Sequence, residues 1–211
     1  MPIDFKKTEK ALYQPKTTPS IIDVPAMTFL MIDGSGNPNT SAKYKNALEI
    51  LYGLSYSIKM SKMSGAQQEG YYEYVVPPLE GLWWLSDAED GFAAADKDLY
   101  CWTSMIRQPE FVTPEAFEFF KTVLAKKKPE LDMSLARLEV FTEGLCVQAM
   151  HIGPYDDEPA TTAAMERYAT ENGYAIDLSD VRRHHEIYLA DPRKTAPEKL
   201  KTVIRLPVRK V

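Results

Sequence analysis

The 211-residue sequence predicts an α+β fold made of two similar halves, each a ββαββ unit of antiparallel hairpins around one helix. Three pairs of segments in the same order support it. An apolar stretch closes at Gly34 in the first half and at Gly153 in the second. WWLSDAED, from Trp83, matches IYLADPRK, from Ile187, and MIRQP around Arg107 then matches VIRLP around Arg205. Because order is retained across the pairs, we interpret the chain as an internal duplication.

The first apolar stretch of each half is predicted to be the second arm of a hairpin. SIIDVPAMTFLMIDG would turn at residues 24–26, and RLEVFTEGLCVQAMHIG would turn at residues 142–144. Proline and glycine between short apolar runs are typical turn signals. Each hairpin would then run into a helix.

The predicted helices have recognisable starts. Thr40 or Ser41 can cap the first, whose buried face recurs at three-or-four spacing. The helix of the second half begins after Asp156, Asp157 and Glu158, whose charges suit the positive end of a helix dipole. Thr113 can cap a linker helix that joins the halves. The stripe of the first helix comprises Tyr44, Leu48, Leu51, Ser55 and Ile58.

Composition narrows the class of protein. The net charge is −5 and no helix is rich in lysine or arginine, so nucleic acid is not expected as a partner. No run approaches the roughly 20 apolar residues of a membrane span, and the polar N-terminus lacks a secretory signal, so a cytoplasmic protein is expected. Cys101 and Cys146 show neither redox nor zinc-ligand spacing, and we expect buried, reduced thiols.

Strand alternation assigns faces in HHEIYLAD. Ile187 and Leu189 would pack against the helices, which leaves His184, Glu186 and Tyr188 on the opposite face. By the repeat, Leu82 and Trp84 would share the face of Glu186. His184 and His185 are adjacent in the strand and cannot converge on one ion, so no metal is expected.

Further aromatic residues are candidates for the same site. Trp102 is placed towards the ligand, although core packing is an equal possibility. Tyr71 follows a Gly, Ser and Gln-rich insertion at residues 59–70 and would form part of a lid or begin a strand. Aromatic walls attract flat ligands and cations, and a desolvated carboxylate among them pairs with positive charge.

The chain resembles the GyrI-like small-molecule-binding family from about residue 20 to its end. The resemblance rests on FLMIDGSGNPN, PPLEGLWW, YCWTSMIRQPEF, the Gly-Pro-Tyr at residues 153–155 and RHHEIYLADPR. It implies tandem βαββ units related by a pseudo-twofold axis, with an antiparallel sheet, helices on one side and a ligand cleft on the other. Residues 1–19 would be an extension, 20–112 and 131–211 the halves, and 113–130 the linker.

The family also implies function. Its members bind flat, hydrophobic, often cationic molecules, and some stand-alone members hydrolyse cyclopropane-bearing alkylators. Glu186 would then be the general base, because desolvation raises a carboxyl pKa towards neutrality. Tyr188 and Tyr155 would stabilise the oxygen that gains charge.

Two other functions stay open, a non-catalytic binding protein and a gyrase-interacting inhibitor module. We expect a small hydrophobic or cationic ligand as partner, no cofactor and a monomer.

Overall fold

A computed structural model describes residues 1–85 and 97–211 of the chain. Its α-helices are α1 (Phe5–Thr8), α2 (Lys10–Tyr13), α3 (Ala42–Lys59), α4 (Pro114–Lys127) and α5 (Glu158–Glu171). Its strands are β1 (Ser20–Ser35), β2 (Leu79–Leu85), β3 (Tyr100–Arg107), β4 (Arg137–Ile152), β5 (Tyr174–Ile176), β6 (His184–Tyr188) and β7 (Lys201–Lys210). The predicted α+β class is confirmed.

The sheet closes on itself. Its order is β4-β1-β3-β2-β6-β7, and β4 also pairs with β7, so the six strands form a barrel. The short strand β5 pairs with residues 208–210 at the end of β7. The strands of the described residues pair antiparallel throughout. Closure gives the six strands two faces of different kinds, an interior and an exterior.

The two halves pair their strands in the same order. The first half runs β1-β3-β2 across the sheet and the second runs β4-β7-β6, and each inserts one helix after its long first strand. The order βαββ is therefore present twice, whereas a common origin and a pseudo-twofold axis stay predictions. Part of one matching segment, residues 86–90, lies outside the described residues.

The two hairpins predicted from the apolar stretches are wrong. Residues 20–35 and 137–152 are each one continuous strand, and the two pair with each other, with Val24 opposite Gly144. Gly144 has a φ of +71°, a backbone conformation that glycine adopts without strain. Proline and glycine therefore mark an irregular position within the β1–β4 ladder instead of a chain reversal.

The barrel interior is filled by apolar side chains from the six barrel strands and from the N-terminal helices. Alternate strand residues supply most of it, and Phe5, Leu12 and Tyr13 of α1 and α2 close it from one end. The strand residues of this cluster include Phe29, Met31, Leu82, Met105, Met150, Ile187 and Val203.

The long helices lie outside the barrel. Helices α3 and α4 cover a cluster that contains Trp83, Trp102 and Ile106, and α5 covers another that contains Val147 and Ile204. Ser41 caps α3 and Thr113 caps α4, as the sequence predicts, because their hydroxyls accept the amides of Tyr44 and Ala116.

None of the helices in the described ranges is long and apolar enough to cross a membrane.

Candidate functional site

Strand β6 brings His184, Glu186 and Tyr188 to one face, as alternation predicts. The register places Gly81 opposite Glu186 and Trp83 opposite His184, so these residues of β2 share that face. It is the exterior face, because Trp83 belongs to the cluster beneath α3 and α4. The expectation that Glu186 lies on the side of the sheet away from the helices is therefore wrong.

Leu82 and Trp84 lie on the opposite face of β2 from Glu186. Leu82 is opposite His185 and packs with Ile187 inside the barrel. The Arg183 guanidinium lies over the Trp84 ring, with its Cζ 4.6 Å from the ring centroid. Their predicted placement beside Glu186 is wrong. The repeat made Leu82 equivalent to Glu186, whereas the strand pairing sets Gly81 opposite Glu186, and a difference of one residue exchanges the faces.

Glu186 is buried and held by hydrogen bonds. The Tyr188 hydroxyl donates to its Oε2 at 2.8 Å, and the His184 Nε2 lies 3.1 Å from its Oε1. Trp83 Nε1 donates to the Tyr188 hydroxyl at 2.9 Å. These bonds form a chain from indole to phenol to carboxylate and fix the orientation of Glu186.

A glycine leaves room for this chain of hydrogen bonds. A Cβ on Gly81 would lie 2.7 Å from Trp83 Nε1 and 3.3 Å from the Tyr188 hydroxyl. A larger residue at position 81 would therefore displace the Trp83–Tyr188 pair.

Glu158, the first residue of α5, is the second buried carboxyl of the site. Burial first, and then the neighbouring Glu186 carboxylate, raise the pKa of Glu158 to about 10. Glu158 therefore keeps its proton at neutral pH, beside the Glu186 carboxylate. The sequence interpretation assigned Glu158 only to the positive end of the helix dipole and missed it as a site residue.

Tyr155 reaches the same cluster from the turn before α5. Its ring packs edge-on against that of Tyr188, with centroids 5.8 Å apart. Burial, followed by the charges of Glu158 and Glu186, raises the pKa of Tyr155 to about 12. Tyr155 and Glu158 are three residues apart at the start of a helix, a spacing that places side chains on one face and is the signal that could have revealed Glu158.

Aromatic rings extend the site towards α3. Tyr44 packs against Trp102, centroids 4.9 Å apart, and against Trp83 at 6.0 Å, and Tyr100 meets Trp83 at 6.0 Å. The Trp102 side chain is only 1% exposed and lies across Gly34. A Cβ added at Gly34 would lie 2.3 Å from the Trp102 ring and would clash with it. Sequence reasoning named Trp102, whose strand face also carries Tyr100, but missed Trp83 and Tyr44.

Tyr71 lies in another environment. Its ring packs against Phe111 and its hydroxyl donates to the Lys59 carbonyl. These contacts anchor the residues that follow the insertion, and a role for Tyr71 in ligand binding stays a prediction.

Three side chains of the same cluster are close enough together to bind a metal ion. One ligand atom each of Glu158, His184 and Glu186 lies within 4.8 Å of the others, which is within reach of a metal ion. His185 points to the other face, in agreement with the argument from adjacent residues. The hydrogen bonds to Glu186 and the protonation of Glu158 account for the cluster without an ion, and the absence of a metal stays a prediction.

These features define the class of protein. It is a closed α+β barrel with a buried cluster of carboxyl and aromatic side chains beneath its outer helices. Residues 17–209 match the model of the GyrI-like small molecule binding domain, and the chain belongs to this family. A search of curated proteins finds no match.

Solved structures agree with this assignment. An uncharacterized conserved protein from Listeria innocua is 50% identical, with a TM-score of 0.93 over 98% of this chain and 100% of that chain. A protein described as a hydrolase from Listeria innocua is 48% identical, with a TM-score of 0.90 over 98% of this chain and 100% of that one. The C-terminal domain of EcmrR shares the fold at 13% identity, with a TM-score of 0.53 over 92% of this chain and 98% of that domain.

Proposed function

We propose that the cluster around Glu186 binds a flat hydrophobic or cationic xenobiotic and hydrolyses it by adding water to a strained cyclopropane ring. The observation that carries the proposal is a buried carboxylate, 7% exposed, that lies among aromatic rings and beside a second carboxyl. A relative 48% identical is described as a hydrolase, which supports a hydrolytic reaction. The resemblance of the sequence motifs to stand-alone GyrI-like hydrolases suggests the cyclopropane substrate.

The two carboxyls take different parts in this reaction. Because its raised pKa keeps Glu158 protonated, we assign Glu186 as the group that accepts a proton from water. Pairs of titratable groups whose environments separate their proton affinities are typical of acid–base sites.

The two tyrosines of the site also have different roles. The Tyr188 hydroxyl proton is directed at Glu186, so Tyr188 positions the base. Burial keeps Tyr155 protonated at neutral pH, so its hydroxyl is available to donate a hydrogen bond to the substrate.

The reaction balances as an addition of water. The water oxygen bonds to the ring carbon while Glu186 takes one proton, and the carbon–carbon bond of the ring breaks. The bonding pair moves into the conjugated carbonyl, whose oxygen gains charge near Tyr155 and is then protonated. No cofactor enters these steps.

A non-catalytic binding protein is the second candidate. The cluster of Tyr44, Trp83 and Trp102 rings beside a carboxylate also suits a cationic aromatic ligand that is held unchanged. The expectation of a monomer without a nucleic-acid partner stays a prediction in either case.

Glu186→Gln separates the two functions. We would incubate the parent and the variant with a cyclopropane-bearing alkylator and follow by mass spectrometry the gain of one water. As general base, Glu186 should contribute a factor on the order of 10² to 10⁴ to turnover, while binding of a neutral substrate analogue is retained. Glu171→Gln, an exposed change at the end of α5, should leave turnover unchanged.

Two outcomes would contradict the assignment. Parental turnover by the Gln variant would remove Glu186 as the base, and loss of turnover on incubating the parent with a chelator would indicate a metal-bound nucleophile instead. An absence of turnover in both proteins, with the variant weaker only for cationic ligands, would establish the binding protein.

A further inference from the structure

One end of the barrel contains a cavity that the proposed reaction does not use. It has a volume of about 770 Å³ and lies where β4 and β6 end and β7 begins, beneath the N-terminal segment at residues 4–18. Small-molecule sites commonly fall between about 300 and 1,000 Å³. Its apolar wall is formed by Met150, Ile152 and Leu189.

The cavity rim is strongly basic. Lys6, Lys7, Lys16 and Lys201 line it together with one carboxylate, Asp4. Asp4 pairs with Lys7 at 3.8 Å, and among residues 1–85 and 97–211 no acidic side chain forms an ion pair with the other three lysines. In a chain of net charge −5, this local excess of positive charge is unusual and favours an anion.

The backbone fixes the basic rim against the apolar wall. The Met150 amide donates to the Lys16 carbonyl at 2.9 Å, and Ile152 is paired in register with Lys201. The Gln14 side chain donates to the Lys6 carbonyl at 2.7 Å. The lysines and the apolar residues therefore belong to one ordered structure that spans the N-terminal segment and two strands.

We infer that this cavity is a second binding site, which takes an amphipathic anion with a carboxylate head and an unbranched apolar tail. The lysine ammonium groups attract the head from solvent, and the tail covers Ile152, which is 51% exposed, and the neighbouring Met150 and Leu189. Burial of such a tail stabilises the complex in proportion to the apolar surface that is removed from water.

The second site is distinct from the Glu186 cluster in position and in charge. Leu189 packs with the interior cluster, whereas Glu186 faces the exterior helices, and Glu186 does not line the cavity. A site with two carboxyls favours neutral or cationic ligands, and a site with four lysines favours anions. The inference therefore does not depend on the proposed hydrolysis.

Calorimetric titration with decanoate tests the inference. We expect one saturable site per chain, with 1-decanol and acetate each binding at least tenfold more weakly, because one lacks the head charge and the other the tail. The variant Lys6→Gln/Lys16→Gln/Lys201→Gln should bind decanoate about tenfold more weakly, since each exposed ion pair makes a small contribution.

A second triple variant controls for net charge. Lys43→Gln/Lys126→Gln/Lys210→Gln removes three exposed lysines from other parts of the surface and should keep the parental affinity. Glu186→Gln should also keep it. Equal weakening in both lysine variants, 1-decanol binding as tightly as decanoate, loss of binding in Glu186→Gln or the lack of saturation would each overturn the inference.

Discussion

At the scale of single residues, the site depends on where one proton lies. Glu158 and Glu186 approach each other at the start of α5, and burial together with the nearby Glu186 carboxylate opposes the ionisation of Glu158. The sequence predicted that His184 and Tyr188 share the face of Glu186, because strand alternation is a local property. It did not predict Glu158, because the burial of a helix-start carboxylate depends on which strand lies beneath it.

Glu158→Gln should stabilise the protein increasingly as the pH rises. An unfolded glutamate titrates near 4.5, whereas burial and Glu186 raise the pKa of folded Glu158 to about 10. Between these values the folded protein holds a proton that the unfolded chain releases, so the free energy of unfolding falls with pH. Glutamine has no such proton, and the melting temperature of the variant should exceed that of the parent by more at about pH 9 than at about pH 5.

The control for this change is Glu166→Gln, on the exposed face of α5. Its melting temperature should follow that of the parent across the same range. Parallel profiles for Glu158→Gln and the parent would mean that Glu158 is ionised in the folded state.

At the scale of elements, the strand register decides which tryptophan belongs to the site. Starts, caps and approximate ends of α3 and α4 were predictable, because they depend on neighbouring residues. The pairing of β2 with β6 joins strands about one hundred residues apart, and no local pattern specifies it. The closure of the sheet through β4 and β7 was not predicted for the same reason.

Matched tryptophan variants test the register. Trp83→Phe removes the Nε1–H that bonds to Tyr188 and leaves a smaller ring in a position that is 6% exposed. We expect a loss of about 1–2 kcal/mol in the free energy of unfolding and about a fivefold loss in kcat, with little change in KM, because the base is less well positioned. Trp84→Phe, one residue away on the other face, should change kcat less than twofold.

Urea unfolding and the kinetics of ring opening give the two measurements. If Trp84→Phe has the larger effect on kcat, the face assignment in the site is wrong. If Trp83→Phe lowers stability without changing kcat, Trp83 is a packing residue alone.

At the scale of the whole molecule, the barrel interior contains charges that hold distant parts of the chain together. His185 lies 3.0 Å from both Glu80 and Glu143, and Arg205 bonds to Glu143 and to the Leu12 carbonyl. Burial opposes charge on His185, but Glu143 and Glu80 raise its pKa to about 9. The stabilisation from this proton is complete below about pH 6.5, the ordinary histidine pKa, and is lost as the pH rises through about 9.

The N-terminal segment completes this interior, which composition alone did not indicate. Phe5, Leu12 and Tyr13 of this segment are buried in the barrel, and the Tyr13 hydroxyl donates to Glu80 at 3.3 Å. Glu9 accepts from Arg107 Nη1 at 2.7 Å, and Phe5 packs on the same guanidinium. A segment that looks like a polar extension therefore closes one end of the fold.

Two glutamates that share Arg107 test how far the fold depends on the segment. Glu9 bonds to the buried guanidinium directly, whereas Glu110 lies 3.9 Å from it with a side chain 73% exposed. Glu9→Gln should lower the free energy of unfolding by about 1–3 kcal/mol, because a hydrogen bond to a charged, buried partner loses its ionic component. Glu110→Gln removes an exposed ion pair of the same formal charge and should change it by less than about 1 kcal/mol. Urea denaturation of the two variants measures the difference, and equal effects would show that the N-terminal segment contributes to the fold through apolar burial and not through Arg107.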